Sequence, residues 1–167
     1  PPMKNRIAEA LTLIRDALTP ETLEEFYVNF RPKQPSAAPM DEGASFAELE
    51  AHHYYEMAIQ IHKQSSLQIG DACYALHENQ FCIIPRGVQH RLQTVACDGD
   101  YANMLWVSIT GEVVRTGYSI YSDAGWSKLY GADLYVPGNF IMGEICDEQA
   151  AGRPGSAAAI ASYIKAF

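Results

Sequence analysis

The spacing of apolar residues changes along the chain, and each spacing predicts a different kind of element. Over residues 3–18 apolar positions recur every three or four residues, which predicts an amphipathic helix. These positions are Ile7, Leu11, Ile14 and Leu18. A shorter stripe continues from Pro20 to about residue 30 and predicts a second helix, packed on a sheet or on another subunit. Residues 31–45 are rich in Pro, Ser, Ala and Gly and predict a loop.

Beyond residue 45 the apolar positions alternate every second residue, as they do in strands with one buried face. The candidate strands span about 50–62, 65–69, 72–76, 80–84, 88–95 and 101–109. Because they are short, closely spaced and separated by turn residues, they predict an antiparallel sandwich or barrel.

The C-terminal third has a less regular pattern. Residues 110–135 contain aromatic segments interrupted by glycines and give no clear assignment. Residues 128–145 predict two strands around a Pro137-Gly138-Asn139 turn. After Ser156, a predicted cap, residues 157–167 have helical spacing.

Charge and cysteine content exclude several functions. The formal net charge is −8 and no run of Lys or Arg occurs, so we do not expect these residues to bind DNA directly. The four cysteines lack CxxC spacing and predict free thiols in a reducing compartment. No stretch reaches the roughly 18 apolar residues of a membrane span, so we expect one cytoplasmic domain and no membrane contact.

A row of polar residues occupies the first predicted strand. Alternation places Glu50, His52, Tyr54 and Glu56 on one face, opposite an apolar face that includes Met57. By burial alone, the polar face would lie in solvent.

The segment that ends at His90 changes this interpretation. It is an apolar strand followed by a tight turn, and it resembles the second cupin motif, G(X)5PXG(X)2H(X)3N. Pro85, Gly87 and His90 match that motif, whereas Asn79 and Thr94 replace its first Gly and its final Asn.

The polar row resembles the first cupin motif, G(X)5HXH(X)3,4E(X)6G. His52 and Glu56 match, and Glu50 replaces the first His. Ala44 and Lys63 replace the two glycines.

Within the cupins, the chain is most similar to the sensor domain of AraC-type transcription regulators. The similarity covers roughly residues 48–111 and depends on the order of short segments, since each motif alone is weak. The segments are Tyr54-Tyr55-Glu56-Met57-Ala58-Ile59, Leu67-Gln68-Ile69-Gly70, Tyr74-Ala75-Leu76, Phe81-Cys82-Ile83-Ile84-Pro85, Gly87-Val88-Gln89-His90 and the strand at 101–111.

This resemblance implies a mainly β chain with a cupin double-stranded β-helix barrel, N-terminal helices and a C-terminal helix. Residues 1–45 would pack on the barrel, 46–150 would form it, and 151–167 would begin a dimerisation helix. The face with His52 and Glu56 would point inward, and the N-terminal helices or a partner subunit would cover the apolar face. Such sensors form homodimers and bind DNA through a separate C-terminal domain, which we expect to lie outside these residues.

The resemblance implies that a small-molecule effector binds inside the barrel, and we therefore expect no enzyme. Its contacts would be His52, Tyr54, Glu56, His90 and Trp106, with Tyr54 and Trp106 stacking on a ring or sugar face. The alternative is a small metal-dependent cupin enzyme, a dioxygenase or isomerase, with a divalent transition metal on Glu50, His52, Glu56 and His90. A third possibility is a structural or storage module with a closed, dry barrel.

Other residues carry weaker signals. His53, His62 and His77 are expected to be solvated, whereas Arg86 and Arg91 could bind an anionic effector. An aromatic group could cover a pocket, form a dimer face or simply pack: Tyr118, Tyr121, Trp126, Tyr130 and Tyr135.

Overall fold

The computed structural model describes residues 3–30, 48–97 and 99–167; the loop predicted at 31–45 lies outside the described residues. The helices are α1 (Met3–Ala17), α2 (Leu23–Phe26), α3 (Gly138–Ala151) and α4 (Ser156–Ala166). The strands are β1 (Tyr55–His62), β2 (Gln64–Ile69), β3 (Ala72–Leu76), β4 (Phe81–Ile84), β5 (His90–Ala96), β6 (Tyr101–Thr110), β7 (Val113–Ser122) and β8 (Gly125–Tyr135).

The strands form two antiparallel sheets. The large sheet has the order β4-β1-β6-β7-β8, and the small sheet has the order β3-β2-β5. The mainly β class with several helices therefore agrees with the prediction. The closed cupin barrel is not confirmed, because the strands in the described ranges remain divided between two sheets.

One face of the large sheet is covered by helices. Alternation in β1 and β6 places Met57 and Leu105 on this face, where they are buried together with Leu18 after α1 and with Ile145 of α3. Burial of each such side chain contributes about 1.5–3 kcal/mol, which fixes the helices to the sheet. Residues of the N-terminal helices cover this apolar face, and α3 and α4 share that role.

The other face of the large sheet packs against the small sheet. Ala58 and Met104 contribute to this second core from the large sheet, and Leu67 and Leu92 contribute from the small sheet. Glu56 has the same orientation as Ala58 two residues later, so it points between the sheets. That orientation agrees with the inward direction that the cupin resemblance implies.

The prediction of a second strand after residue 137 is wrong. Residues 128–135 belong to β8, but α3 follows, and it lies within the range assigned to the barrel. Met142 and Ile145 are fully buried and three residues apart, whereas Phe140 is 65% exposed, which is helical periodicity. The Pro137-Gly138 pair therefore starts a helix and does not turn between strands.

Two other boundaries differ from the prediction. The unassigned residues 110–135 contain the whole of β7 and β8, which extend the large sheet by two strands. The first strand begins at Tyr55 and not near residue 50, so Glu50 lies before it, and its backbone forms an isolated bridge with His90.

The second predicted helix, from Pro20 to about residue 30, is shorter than expected, because α2 spans only Leu23–Phe26 and Tyr27 then forms a bridge with Phe81. The first and last helices follow the sequence closely. The predicted helix at 3–18 is α1, and the hydroxyl of Thr22 donates to the carbonyl of Ala17 (2.6 Å) at its C-terminal end. The predicted helix at 157–167 is α4, which buries Ile160 and Ala161. Within the described ranges, every helix is too short or too polar to cross a membrane.

Candidate functional site

Backbone pairing brings the polar row next to His90, the first residue of β5. The amide of Glu50 donates to the carbonyl of His90 (2.9 Å), and the amide of His90 donates to the carbonyl of Glu50 (2.8 Å). The amide of Gly87 donates to the carbonyl of His52 (2.7 Å). Gly87 has a φ of +75°, which glycine adopts with little strain. The turn can therefore place the Gly87 amide against the His52 carbonyl.

The buried pair of the site consists of Glu56 and His90. Glu56 Oε2 lies 3.2 Å from His90 Nε2, and the two side chains are 9% and 5% exposed. The hydroxyl of Ser108 on β6 donates to Glu56 Oε1 (3.2 Å). Both carboxylate oxygens of Glu56 therefore have a polar neighbour, which reduces the cost of burying the charge.

The surroundings of His90 determine its protonation. Burial lowers the pKa of His90, but hydrogen bonds to Glu56 and Val88 outweigh burial, so its pKa is raised above the ordinary value. His90 Nδ1 lies 3.0 Å from the Val88 carbonyl oxygen, to which only a protonated nitrogen can donate. Neutral His90 therefore leaves Nε2 unprotonated, and protonated His90 donates to Glu56.

His52 lies at the edge of this pair. Its Nε2 is 3.3 Å from Glu50 Oε2 and 3.9 Å from Glu56 Oε2. The ring of Tyr54 stacks on His52 with centroids 4.6 Å apart, and the His90 ring meets His52 edge-on at 5.1 Å. Burial and the charge of Glu56 raise the pKa of Tyr54, so its hydroxyl stays protonated at neutral pH.

Three of the polar side chains could together hold a metal ion. One ligand atom each from Glu50, His52 and His90 lie within 4.8 Å of one another. When His90 is neutral, the contact between its Nδ1 and Val88 leaves the lone pair on Nε2, the nitrogen that faces Glu56, and a backbone partner on the second ring nitrogen is typical of metal-bound histidine. Glu56 is not part of this group of three, although its carboxylate neighbours both histidines.

A cleft of about 370 Å³ opens beside the buried pair, between the two sheets, and we call it the inter-sheet cleft. Of the predicted effector contacts, Glu56, His90 and Trp106 line it. His52 and Tyr54 are absent from its lining and lie at the edge of the buried pair.

Several lining residues were not predicted as effector contacts. Ser119 and Tyr121 come from β7, and Trp126 and Lys128 come from β8. The rings of Tyr121 and Trp126 stack with centroids 6.4 Å apart. Two members of the aromatic group named from the sequence, Tyr121 and Trp126, therefore line the cleft, but no residue pattern in 110–135 predicted this position.

The weaker sequence candidates have different surroundings. His53 and His77 are exposed as expected, whereas half-buried His62 lies 3.3 Å from a Glu78 oxygen and 3.6 Å from an Asp100 oxygen. Arg91 also lines the cleft and donates to the side chain of Gln68. Arg86 instead lies over the ring of Tyr55, 4.9 Å from its centroid.

Comparison with protein families, with curated proteins and with solved structures finds no match to this chain.

Proposed function

We propose that this chain is the effector-binding and dimerisation domain of an AraC-type transcription regulator, and that the effector binds in the inter-sheet cleft. The observation that supports this most strongly is the composition of the cleft. It combines a buried, hydrogen-bonded acid and imidazole with aromatic side chains from three different strands. A concave site with apolar walls and a few fixed polar groups is the usual form of a small-molecule site.

The cleft suits a polar ring compound with hydroxyl groups, because charged side chains line it together with the aromatic ones: Glu48, Glu50, Glu56, His90, Arg91 and Lys128. Trp106, Tyr121 and Trp126 offer ring faces for stacking. A ligand hydroxyl can donate to the carboxylate of Glu56 and accept from protonated His90, so the buried pair can hydrogen-bond to both the proton and the oxygen of that hydroxyl.

Effector binding can change the relative arrangement of the two sheets. The effector would contact both sheets, because Glu56 belongs to the large sheet and His90 to the small one. A ligand that favours one arrangement of the sheets shifts the population of the sensor toward it. A homodimer would then transmit the change to a DNA-binding domain outside these residues.

The test is a ligand panel read by thermal melting and by tryptophan fluorescence. At one hundred times its Kd, an effector should stabilise the protein by about 2.7 kcal/mol and raise Tm by roughly 5–10 °C. The variants W126A and E56Q should reduce this shift. Y135A is the matched control, because Tyr135 is 80% exposed and does not line the cleft. No hit in a panel of sugars, aromatic acids and amino-acid derivatives, or hits that W126A and E56Q leave unchanged, would contradict the proposal.

The second candidate is a metal-dependent cupin enzyme, and the cluster of Glu50, His52 and His90 favours it. A divalent metal bound there would act as a Lewis acid on a substrate oxygen. The test is Co²⁺ titration followed by visible absorption. H52A and H90A should abolish stoichiometric binding, and H53A, which alters an exposed neighbour, should not. Binding that persists in both H52A and H90A would exclude this site.

A further inference from the structure

A second cavity lies on the opposite face of the large sheet, beneath the helices. Its volume is about 400 Å³, which is within the range of small-molecule sites. Met57 and Leu105 line it from the sheet, and Leu18 and Ile164 line it from the helical side. We call it the apolar cavity. It shares no lining residue with the inter-sheet cleft.

The apolar cavity is open on one side. Leu11 of α1 and Leu134 of β8 line it and are 41% and 53% exposed. Val136 extends the exposed apolar edge. A ligand that covers these side chains would remove their surface from water, which favours an apolar occupant.

The charged residues of the apolar cavity are both cations. Arg15 and Lys165 line it, and no Asp or Glu is among its described lining residues. The guanidinium of Arg15 donates to Asp16 (2.9 Å), outside the cavity. This hydrogen bond lowers the pKa of the Asp16 carboxyl, and the charge of Lys165 adds to the effect. Arg15 and Lys165 are thus the charged side chains that the cavity offers to a ligand, and Asp16 is not among its lining residues.

From this combination we infer a second binding site that takes a medium-chain carboxylate. The acyl chain lies along the apolar floor, and the carboxylate lies between Arg15 and Lys165. The chain as a whole carries a net charge of −8, whereas both charged residues that line the apolar cavity are positive. This site is independent of the effector site in the inter-sheet cleft.

The two sites can be separated in one protein. Both tryptophans, Trp106 and Trp126, line the inter-sheet cleft and neither lines the apolar cavity. Dansyl-undecanoic acid should therefore gain fluorescence on binding, and decanoate should displace it without quenching tryptophan. Octanoate should bind roughly fifteenfold more weakly than decanoate, because it lacks two methylene groups.

The decisive variant is R15Q/K165Q. Both side chains are exposed, so the fold should persist, and decanoate should bind about tenfold more weakly. Decanol should bind the variant and the native chain equally. K63Q/R153Q is the matched control, because it removes two cations that line neither cavity, and it should bind decanoate normally.

Three outcomes would overturn the inference. The first is an unchanged decanoate Kd in R15Q/K165Q. The second is probe displacement only by anionic lipid vesicles, which would indicate a membrane contact. The third is displacement by rising protein concentration, which would place a second copy of the chain on the cavity.

Discussion

Replacement of Glu56 by Gln removes the buried carboxylate of the site and keeps its shape. Glu56 Oε2 is 3.2 Å from His90 Nε2, with both side chains less than one-tenth exposed. Burial lowers the pKa of His90, yet the hydrogen bonds to Glu56 and Val88 raise it overall. Without this carboxylate, burial continues to disfavour the charged imidazole while the strongest opposing hydrogen bond is lost, so E56Q should lower the pKa of His90.

Because the pKa of His90 is raised in the folded protein, the pair of Glu56 and His90 stabilises the fold most at low pH. A hydrogen bond to a charged group, such as the one between protonated His90 and Glu56, contributes about 1.5–3 kcal/mol. Because the pKa is raised in the folded state, the stabilisation is complete below the ordinary histidine value of 6.5 and disappears as the pH rises through the pKa of folded His90. E56Q should therefore melt roughly 5–10 °C below the native protein at about pH 5.5. The difference should vanish or reverse near pH 9, where neutral His90 leaves Glu56 as a buried, unneutralised charge.

The assay combines melting curves with an NMR titration of the His90 ring, both after treatment with EDTA. E50Q is the control, since the Glu50 side chain is 56% exposed and contacts His52, and its effect should be smaller. Equal melting differences at both pH values, or an unchanged pKa of His90 in E56Q, would refute the reasoning.

Three further predictions concern the fold and can be measured by urea denaturation. I145A should cost about 2–5 kcal/mol, because Ile145 is fully buried, whereas F140A on the same helix should cost less than about 0.5 kcal/mol; similar losses would mean that α3 does not pack as described. G87A should cost about 1–2 kcal/mol, because its φ of +75° strains any other residue although space is open around it; a neutral result would contradict the turn geometry. Y27F removes a hydroxyl that donates to Gln149 of α3, so it should cost about 1 kcal/mol of stability. An unchanged stability would mean that Tyr27 does not contact α3.

The buried pair could be predicted from the sequence because local rules determine it. Alternation in β1 separates Glu56 from Met57, and the spacing of Pro85, Gly87 and His90 indicates a turn that enters a strand. The approach of Glu56 to His90 also requires two sheets to face each other, which the short, closely spaced strands predict in general. Only the motif resemblance suggested that these two residues meet there.

The other wall of the cleft could not be predicted, because glycines interrupt its strands. Gly117 lies inside β7, where the side chain of Lys128 occupies the space that a Cβ would need. The register also shifts between Arg115 and Gly117, so strict alternation fails along β8. Trp126 and Lys128 were therefore not assigned to a face.

The start of α3 shows how local turn signals can be overridden. Pro137 and Gly138 are typical turn residues, but Gly138 is the point where a Cβ would come within 3.0 Å of Ile109 and Val114. The helix begins against the sheet at a position where a larger side chain would collide. This close approach is a tertiary constraint, so the sequence of residues 128–145 does not reveal it.

The bridge between Glu50 and His90 has a consequence for local opening of the molecule. The segment of residues 50–55 is hydrogen-bonded to the small sheet at Glu50 and enters the large sheet at Tyr55. Separation of the sheets on this side must therefore break the two amide hydrogen bonds of the bridge. Amide exchange at Glu50 and His90 consequently reports the free energy of that opening, and a compound that bridges Glu56 and His90 should slow exchange at both amides together.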